Sequence, residues 1–114
     1  MSNRIEKVNS LLQKEISAYI FDQRFEGIKG LVTVKGVVTS RDLGHAKIFV
    51  SVVGQNEESI LEILNKHIGQ IQKMLYERLR MTPIPRISFV LDHSGEYAEY
   101  ISKLLNDIHS NDSK

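Results

Sequence analysis

The chain has 114 residues, which is the size of a single compact domain with one hydrophobic core. Hydrophobic residues make up 41% and charged residues 25% of the sequence, as in an ordinary soluble protein, and no apolar run approaches the ~20 residues of a membrane-spanning helix. The absence of cysteine excludes disulfides, thiolate zinc sites and a cysteine nucleophile.

The formal net charge of +1 is the sum of two oppositely charged segments. Residues 63–91 contain five Lys or Arg and one Glu, a net charge of +4, whereas residues 92–112 contain one Lys and five acidic residues, a net charge of −4. This asymmetry indicates a polyanionic partner for one surface of the protein. A mixed, solvated surface explains the same charges equally well.

The first predicted element is an amphipathic helix from about Asn3 to Phe21. Its apolar residues share one stripe at helical spacing: Ile5, Val8, Leu12, Ile16, Tyr19 and Ile20. Lys7 and Lys14 are expected to point outward together. The N-terminal residues MSNRIEKVNS are polar and amphipathic from the start, so they predict no signal peptide and a cytoplasmic protein.

Two β-strands are predicted next, Leu31–Ser40 and Ala46–Val53, and they form a hairpin. Alternation along the two strands predicts one shared apolar face: Val32, Val34, Val38, Ile48, Val50 and Val52. Gly36 is expected to leave space for a helix to approach this face. In the turn, Asp42 is expected to accept backbone N–H bonds and Gly44 to supply a positive φ.

A pair of helices follows the hairpin. Asn56 is predicted to cap the first of them, with Glu57 and Glu58 at the positive end of the helix dipole. Gly69 interrupts the helical pattern, which then continues until Thr82 and Pro83 end it. The pattern therefore predicts two helices with a kink between them.

A third strand and a closing helix complete the chain. Ile87, Phe89 and Leu91 alternate as in a strand, and an apolar stripe over residues 97–108 predicts the last helix. Since three strands cannot close a barrel, the helices must cover one face of the sheet, which predicts an α+β domain of two layers. We expect residues 1–109 to form this domain and residues 110–114 to be a flexible tail.

Five polar residues invite a catalytic interpretation: Asp42, His45, Asp92, His93 and Ser94. The last three are adjacent in sequence, so their side chains point apart, whereas a catalytic triad needs side chains linked by hydrogen bonds. Asp92 and Ser94 are better explained as the end of the third strand and the cap of the last helix. The four histidines lack zinc-protease spacing and there is no Walker loop, so we predict neither an enzyme nor a metal or cofactor site.

The segment GIKG at residues 27–30 has the GxxG pattern with which K-homology (KH) domains clamp a nucleic-acid backbone. That clamp lies between two helices, whereas this copy precedes the first strand, so a loop with glycine conformational freedom is the better interpretation. The position between the helices holds His67, Ile68 and Gly69 instead. His67 is expected to be a partly buried, hydrogen-bonded histidine rather than an RNA contact.

The hairpin segment VVTSRDLGHAKIFV at residues 37–50 resembles the pattern V-x-x-S-x-D-L-x-x-A-x-I-x-V of the ribosome-binding factor A family. The matching residues are Val37, Ser40, Asp42, Leu43, Ala46, Ile48 and Val50. Further resemblance extends across nearly the whole chain, at Arg4 to Val8, Asp22, Arg24, Phe25, Pro85, Ile87, Phe89, Asp92 and Ser94. The combination is specific, although each piece alone is weak.

The resemblance implies a type II KH-like fold in which a kink of the form A-x-G replaces the inter-helix clamp. In this chain the kink is His67, Ile68 and Gly69, so the glycine is kept and His67 takes the place of the alanine. Arginines usual in the family appear here as Gln72 and Thr82.

The function that the resemblance implies is that of a non-enzymatic maturation factor for the small (30S) ribosomal subunit. Such a factor binds 16S rRNA late in assembly, supports precursor rRNA processing and cold-shock adaptation, acts as a monomer, and has an assembly GTPase as a further partner. Basic residues are expected to form the RNA-binding surface: Lys7, Lys14, Arg41, Lys47, Lys66, Lys73, Arg78 and Arg80. Lys73 and Arg80 are expected to project into water, and Arg78 to pack its stem.

Two other functions remain open at this stage. One is that of a KH-like module for a different RNA, and the other is that of a protein-interaction domain. The interaction domain would use the sheet face away from the helices, with Thr33, Lys35, Phe49 and Val90.

Overall fold

The structure, a computed structural model, describes residues 2–81 and 83–93. It contains three helices and three strands in these residues: α1 (Ser2–Gln23), β1 (Leu31–Thr39), β2 (His45–Val53), α2 (Glu57–Lys66), α3 (Ile68–Leu79) and β3 (Arg86–Leu91). The predicted order of elements is confirmed over this range. The predicted closing helix, the tail and Thr82 lie outside the described residues.

The three strands form one sheet in the order β1-β2-β3. β1 and β2 are antiparallel, as expected of a hairpin, and β3 lies parallel to β2 because α2 and α3 form the crossover between them. The helices cover one face of this sheet, so the domain has the two-layer α+β architecture predicted from the sequence.

The core lies between the helices and the covered face of the sheet. Its fully buried aliphatic residues come from all three helices and from the central strand: Leu12, Ile16, Ile48, Val50, Ile60, Leu64, Ile71 and Leu75. Helical periodicity and strand alternation therefore identified most of the residues that exclude water.

A β-bulge at Lys35 changes which residues of β1 face the core. Val34 pairs with Val50, but the next pair is Gly36 with Phe49, so β1 has one extra residue. Val37 is therefore buried, whereas Val38 is 58% exposed, and the prediction that Val38 faces the core is wrong. A side chain at Gly36 would have no atom within 4 Å, so the prediction that Gly36 admits a helix is wrong as well.

The sheet face away from the helices, which we call the open face, carries the residues that alternate with the buried ones. On β2 and β3 these are His45, Lys47, Phe49, Arg86, Ser88 and Val90. Gly36 and Val38 of β1 lie beside Phe49 and Lys47 on this face, because they are the paired residues.

The turn between β1 and β2 is built around the Asp42 carboxylate. The Ser40 hydroxyl donates to Asp42 Oδ1 at 2.7 Å and the Gly44 N–H donates to the same oxygen at 2.9 Å, which confirms the expected role of Asp42. The expected positive φ at Gly44 is wrong, since Leu43 has it (φ 60°). Leu43 tolerates this backbone because its half-buried side chain packs against the core. Glycine at position 44 instead avoids a Cβ atom 3.1 Å from Asp42 Oδ1.

Replacing Asp42 with asparagine is expected to remove part of the acid sensitivity of the protein. The Ser40 hydroxyl and the Gly44 N–H lower the pKa of Asp42 in the folded state. Its stabilising contribution is therefore present above the unfolded pKa of about 3.9 and is lost as pH falls toward the lower folded pKa. Thermal melts of both proteins between about pH 7 and about pH 3 should show a difference in midpoint that shrinks toward the acid end. A difference that is constant with pH would contradict this role.

Candidate nucleic-acid interface

The kink between α2 and α3 is a single non-helical residue. Asn56 caps α2 by accepting the Ser59 N–H at 3.0 Å, as the sequence predicted, and α2 then runs to Lys66. His67 follows with φ −102° and ψ 9°, and the helical pattern resumes when the Ile71 N–H donates to the His67 carbonyl oxygen at 3.0 Å. α2 and α3 thus share one residue, His67, as their junction.

The His67 side chain holds the kink against the loop that follows α1. Its ring stacks on Phe25 with a centroid distance of 4.0 Å and an interplanar angle of 18°. Its Nδ1–H donates to the Ile63 carbonyl oxygen, with 2.8 Å between the two atoms. His67 is therefore half-buried, and one of its two ring nitrogens, Nδ1, is hydrogen-bonded within the protein.

His67→Ala is expected to lower the free energy of unfolding by about 1–2 kcal/mol, because it removes one ring stack and one hydrogen bond. His67→Phe keeps the stack and should lose less. Urea unfolding of both variants and the wild type measures the differences in free energy of unfolding. RNA binding should be unchanged in a folded His67→Ala protein, since the ring stacks on Phe25 and its Nδ1–H donates to Ile63 inside the domain. Full stability in His67→Ala would show that the stack contributes nothing.

The outward face of α3 carries four exposed residues at helical spacing, which we call the α3 stripe: Gly69, Lys73, Tyr76 and Arg80. Ile71, Met74 and Leu75 are buried on the opposite side of the same helix. A side chain at Gly69 would meet no atom within 4 Å, so the backbone at this end of the stripe is open to a ligand. The stripe therefore combines bare backbone, an aromatic ring and two cations.

The two cations of the α3 stripe are available to an external anion. Within residues 2–81 and 83–93, no carboxylate lies within 4.0 Å of the charged groups of Lys73 and Arg80. Arg80 ends α3 in the left-handed conformation (φ 49°), which directs the chain away from the helix. These two residues project into water, as the sequence indicated.

Arg78 differs from these two residues because it has a partner inside the domain. Its Nη1 lies 3.3 Å from Glu15 Oε2 of α1, and the two side chains are 56% and 23% exposed. This ion pair joins α3 to α1 and adds little stability at such exposure. It also places a negative charge beside the guanidinium, so Arg78 is a weaker candidate for a phosphate contact than Lys73 or Arg80.

The other basic residues of the predicted surface are all exposed but do not form one patch. Lys7 and Lys14 line one shallow groove on α1, together with Glu6, Ser10 and Leu11. Lys66 ends α2 beside the kink, and Arg41 lies in the hairpin turn. Lys47 lies on the open face, on the other side of the sheet from the helices. A single rigid ligand on α3 therefore cannot contact all eight residues.

The GxxG segment at residues 27–30 is already occupied by a side chain of the protein. The N–H groups of Lys29 and Gly30 donate to Gln55 Oε1 at 2.7 and 2.9 Å, and Gln55 Nε2 donates to the Gly27 carbonyl oxygen at 2.7 Å. Gly27 has φ +93°, which fits the loop interpretation made from the sequence. These amides are therefore unavailable for a phosphate.

Gln72, at a position where the resemblance led us to expect arginine, joins α3 to the sheet. Its Nε2 donates to the Pro85 carbonyl oxygen at 2.7 Å, and its Oε1 accepts the Ile87 N–H at 3.3 Å. The amide thus satisfies backbone groups at the start of β3, a structural role that leaves no charge at this position.

Tyr76 and Gln55 are two further residues of this region that were not predicted from the sequence. Tyr76 is 66% exposed and lies three residues after Lys73 and four before Arg80. A helical wheel of α3 would have placed all three on one face, so the signal was present. No local pattern identifies Gln55, because its partners are more than 20 residues away in the sequence.

The structure describes part of the contacts of the catalytic candidates. Asp42 accepts from the Ser40 hydroxyl and the Gly44 N–H in the hairpin turn. His93 Nε2 lies 2.6 Å from Glu57 Oε2 at the start of α2, and the Asp92 N–H donates to the Val50 carbonyl oxygen at 2.8 Å. No three His, Asp or Glu residues in this part of the chain are grouped as metal ligands. None of its helices is both long and apolar enough to cross a membrane. Ser94 lies outside the described residues.

Comparison with known proteins identifies relatives along almost the whole chain. The family model of ribosome-binding factor A matches residues 4–105. Ribosome-binding factor A of Desulforamulus reducens is 34% identical over 116 residues, covering 100% of this chain and 97% of the relative. The same factor of Alkalilimnicola ehrlichii is 33% identical over 107 residues, covering 91% of this chain and 82% of the relative.

Solved structures resemble the fold described above. The crystal structure of ribosome-binding factor A from Thermus thermophilus superposes with a TM-score of 0.70 at 23% identity, covering 76% of this chain and 94% of that one. A homology model of Thermus thermophilus ribosome-binding factor A, fitted into a cryo-EM map of a complex of the 30S subunit with this factor, gives a TM-score of 0.65 at 24% identity, covering 75% of this chain and 91% of that one. These likenesses confirm the predicted KH-like α+β fold.

Proposed function

The chain belongs to the ribosome-binding factor A family, and from this premise we propose that it binds the small (30S) ribosomal subunit through 16S rRNA, late in subunit assembly. The observation that carries the proposal is the α3 stripe, which offers Lys73, Arg80 and Tyr76 to an external ligand beside the bare backbone of Gly69. A Thermus thermophilus relative with the same fold is described in a complex with the 30S subunit, which supports this choice of partner.

The chemistry of the stripe suits folded RNA. Lys73 and Arg80 would release counterions from two phosphates, and the Tyr76 ring would stack on an unpaired base. Because Gly69 has no side chain, a phosphate or sugar can approach the helix backbone more closely there than at any other residue type. Further exposed cations, separate from the stripe, would contact other parts of a large RNA: Lys66 beside the kink, Lys7 and Lys14 on α1, and Arg41 in the turn. Arg78 contributes less because of Glu15.

Binding of this kind can promote maturation without catalysis. A factor that binds a precursor conformation of the rRNA more tightly than the mature one shifts the folding equilibrium of the RNA. Maturation then weakens the site and releases the factor. We therefore propose a cytoplasmic, non-enzymatic, monomeric protein that supports precursor rRNA processing and growth in the cold, with an assembly GTPase as a further partner.

Deletion of the gene tests the maturation role. Precursor 16S rRNA should accumulate in the deletion strain, most visibly at low temperature, because misfolded RNA escapes from trapped conformations more slowly in the cold. Northern or primer-extension analysis of rRNA at two growth temperatures measures the precursor fraction, and a plasmid copy of the wild-type gene is the control. Normal processing in the cold in the deletion strain would reject this proposal.

A further inference from the structure

The open face of the sheet is a second surface with the properties of a ligand platform. Its residues lie in rows across the strands, because paired residues share a face. His45 pairs with Arg86, Lys47 lies between Val38 and Ser88, and Phe49 lies between Gly36 and Val90. Ile48 and Val50, which alternate with these residues on the central strand, are fully buried against the helices, so Lys47 and Phe49 point to the other side.

The charge on this face has one sign. The three strands contain no Asp or Glu, whereas Lys47 and Arg86 lie on adjacent strands and Lys35 is exposed in the bulge. The nearby carboxylate of Asp42 keeps its negative charge and lies close to His45, but it belongs to the adjoining turn, outside the three strands, where it accepts from the Ser40 hydroxyl and the Gly44 N–H. A surface of mixed charge would suit a protein partner, and a surface with cations alone favours a polyanion.

The shape of the face around Phe49 favours a flat, unpaired group. Phe49 is half-buried on the central strand, and its paired residue on β1 is Gly36. A Cβ atom at Gly36 would meet nothing within 4 Å, so among the described residues the space over β1 beside the ring is empty. An aromatic ring next to bare backbone can accept a nucleobase, and the bases of a duplex are not available for such stacking.

We propose that the open face binds a single-stranded RNA segment. An unpaired base stacks on Phe49 over the Gly36 backbone. Lys47 lies two residues away on the same strand, ~7 Å along it, which places its ammonium group within reach of the phosphate of a stacked nucleotide. Arg86 takes a neighbouring phosphate. The proposal does not rest on the α3 stripe, because the sheet separates the two surfaces.

The test measures binding of the full chain to a fluorescent single-stranded RNA of about 12 nucleotides, with a duplex of the same length as the comparison. Phe49→Leu should weaken single-strand binding about tenfold at unchanged salt dependence, since one stacked base is lost. Phe49→Tyr, which keeps the ring, should bind as the wild type does. Lys47→Gln/Arg86→Gln should lower the salt slope by roughly 0.7 for each lost phosphate contact.

Replacement of Lys47 and Arg86 keeps the test valid if Phe49→Leu fails to fold, because both side chains are exposed. Crosslinking with 4-thiouridine in the same RNA should map to β2. Unchanged affinity and salt slope in Lys47→Gln/Arg86→Gln would overturn the proposal. Tighter RNA binding by this variant would also overturn it, because it would mean that another part of the chain or a protein covers the face. If Phe49→Leu loses equal affinity for the duplex and for the single strand, the assignment to an unpaired base would be overturned. Lys73→Ala/Arg80→Ala should leave the β2 crosslink in place.

Discussion

Gly30→Ala is expected to lower the free energy of unfolding by about 2–3 kcal/mol, as overpacking against a fixed backbone does. A Cβ atom at Gly30 would lie 2.5 Å from the Val53 carbonyl oxygen and 2.9 Å from Gln55 Cβ. Val53 is paired with Leu31 at the end of the hairpin, so its backbone cannot move away without disturbing the sheet. The same shift would weaken the hydrogen bond from the Gly30 N–H to Gln55. Urea unfolding followed by circular dichroism measures the loss.

Gly69→Ala is the matched control for this prediction. Its Cβ atom would meet nothing within 4 Å, and alanine favours a helix over glycine by about 0.5–1 kcal/mol. This variant should therefore be as stable as the wild type or slightly more stable. Equal stability losses at Gly30 and Gly69 would contradict the close approach between residue 30 and the end of β2.

Lys73→Ala/Arg80→Ala is expected to reduce affinity for the small subunit about tenfold and to lower the salt slope by about 1.5, at roughly 0.7–0.9 per phosphate contact. Both side chains are exposed, so the core is unchanged. Alanine at position 80 keeps a Cβ atom and adds no new restriction to the left-handed backbone there. Titration of labelled protein with purified subunits at several salt concentrations measures both quantities.

Two further variants separate the contributions to this binding. Lys29→Ala removes an exposed lysine that lies outside α3 and should bind nearly as the wild type does. Tyr76→Ala should weaken binding without changing the salt slope, because a stacked base releases no counterions. If the folded Lys73→Ala/Arg80→Ala protein binds with wild-type affinity and slope, then α3 is not the interface.

The fold was predictable where local patterns determine it. Leu12 and Ile16 on α1, and Ile48 and Val50 on β2, were recognised by spacing alone and are fully buried. Helical and strand periodicities depend only on nearby residues, so one sequence is enough to detect them. The Asn56 cap was predictable for the same reason, since its partner Ser59 is three residues away.

Features that depend on pairing between distant residues were not predictable. The bulge at Lys35 arises from the register of β1 against β2, and it buries Val37 and exposes Val38, the residue that was expected in the core. The positive φ predicted for Gly44 is found at Leu43 instead, because packing of the leucine side chain outweighs the backbone preference for glycine.

In the candidate site, the partners and relative positions of the basic residues were unpredictable for the same reason. The sequence identifies Arg78 as basic but not its Glu15 partner, which is 63 residues away. It likewise identifies Lys47 without placing it across the sheet from α3. Charge alone left a polyanionic partner and a mixed, solvated surface equally open, the family resemblance implied RNA, and the structure was needed to separate the α3 stripe from the open face.

Sedimentation of a cell extract through a sucrose gradient tests the central proposal most directly. The protein, detected by antibody in each fraction, should migrate with free 30S subunits and be scarce on polysomes, because an assembly factor leaves the subunit before translation. Lys73→Ala/Arg80→Ala expressed at the same level should shift toward the top of the gradient. Equal occupancy of free subunits and polysomes by the wild-type protein, or its absence from 30S fractions at low salt, would contradict the account.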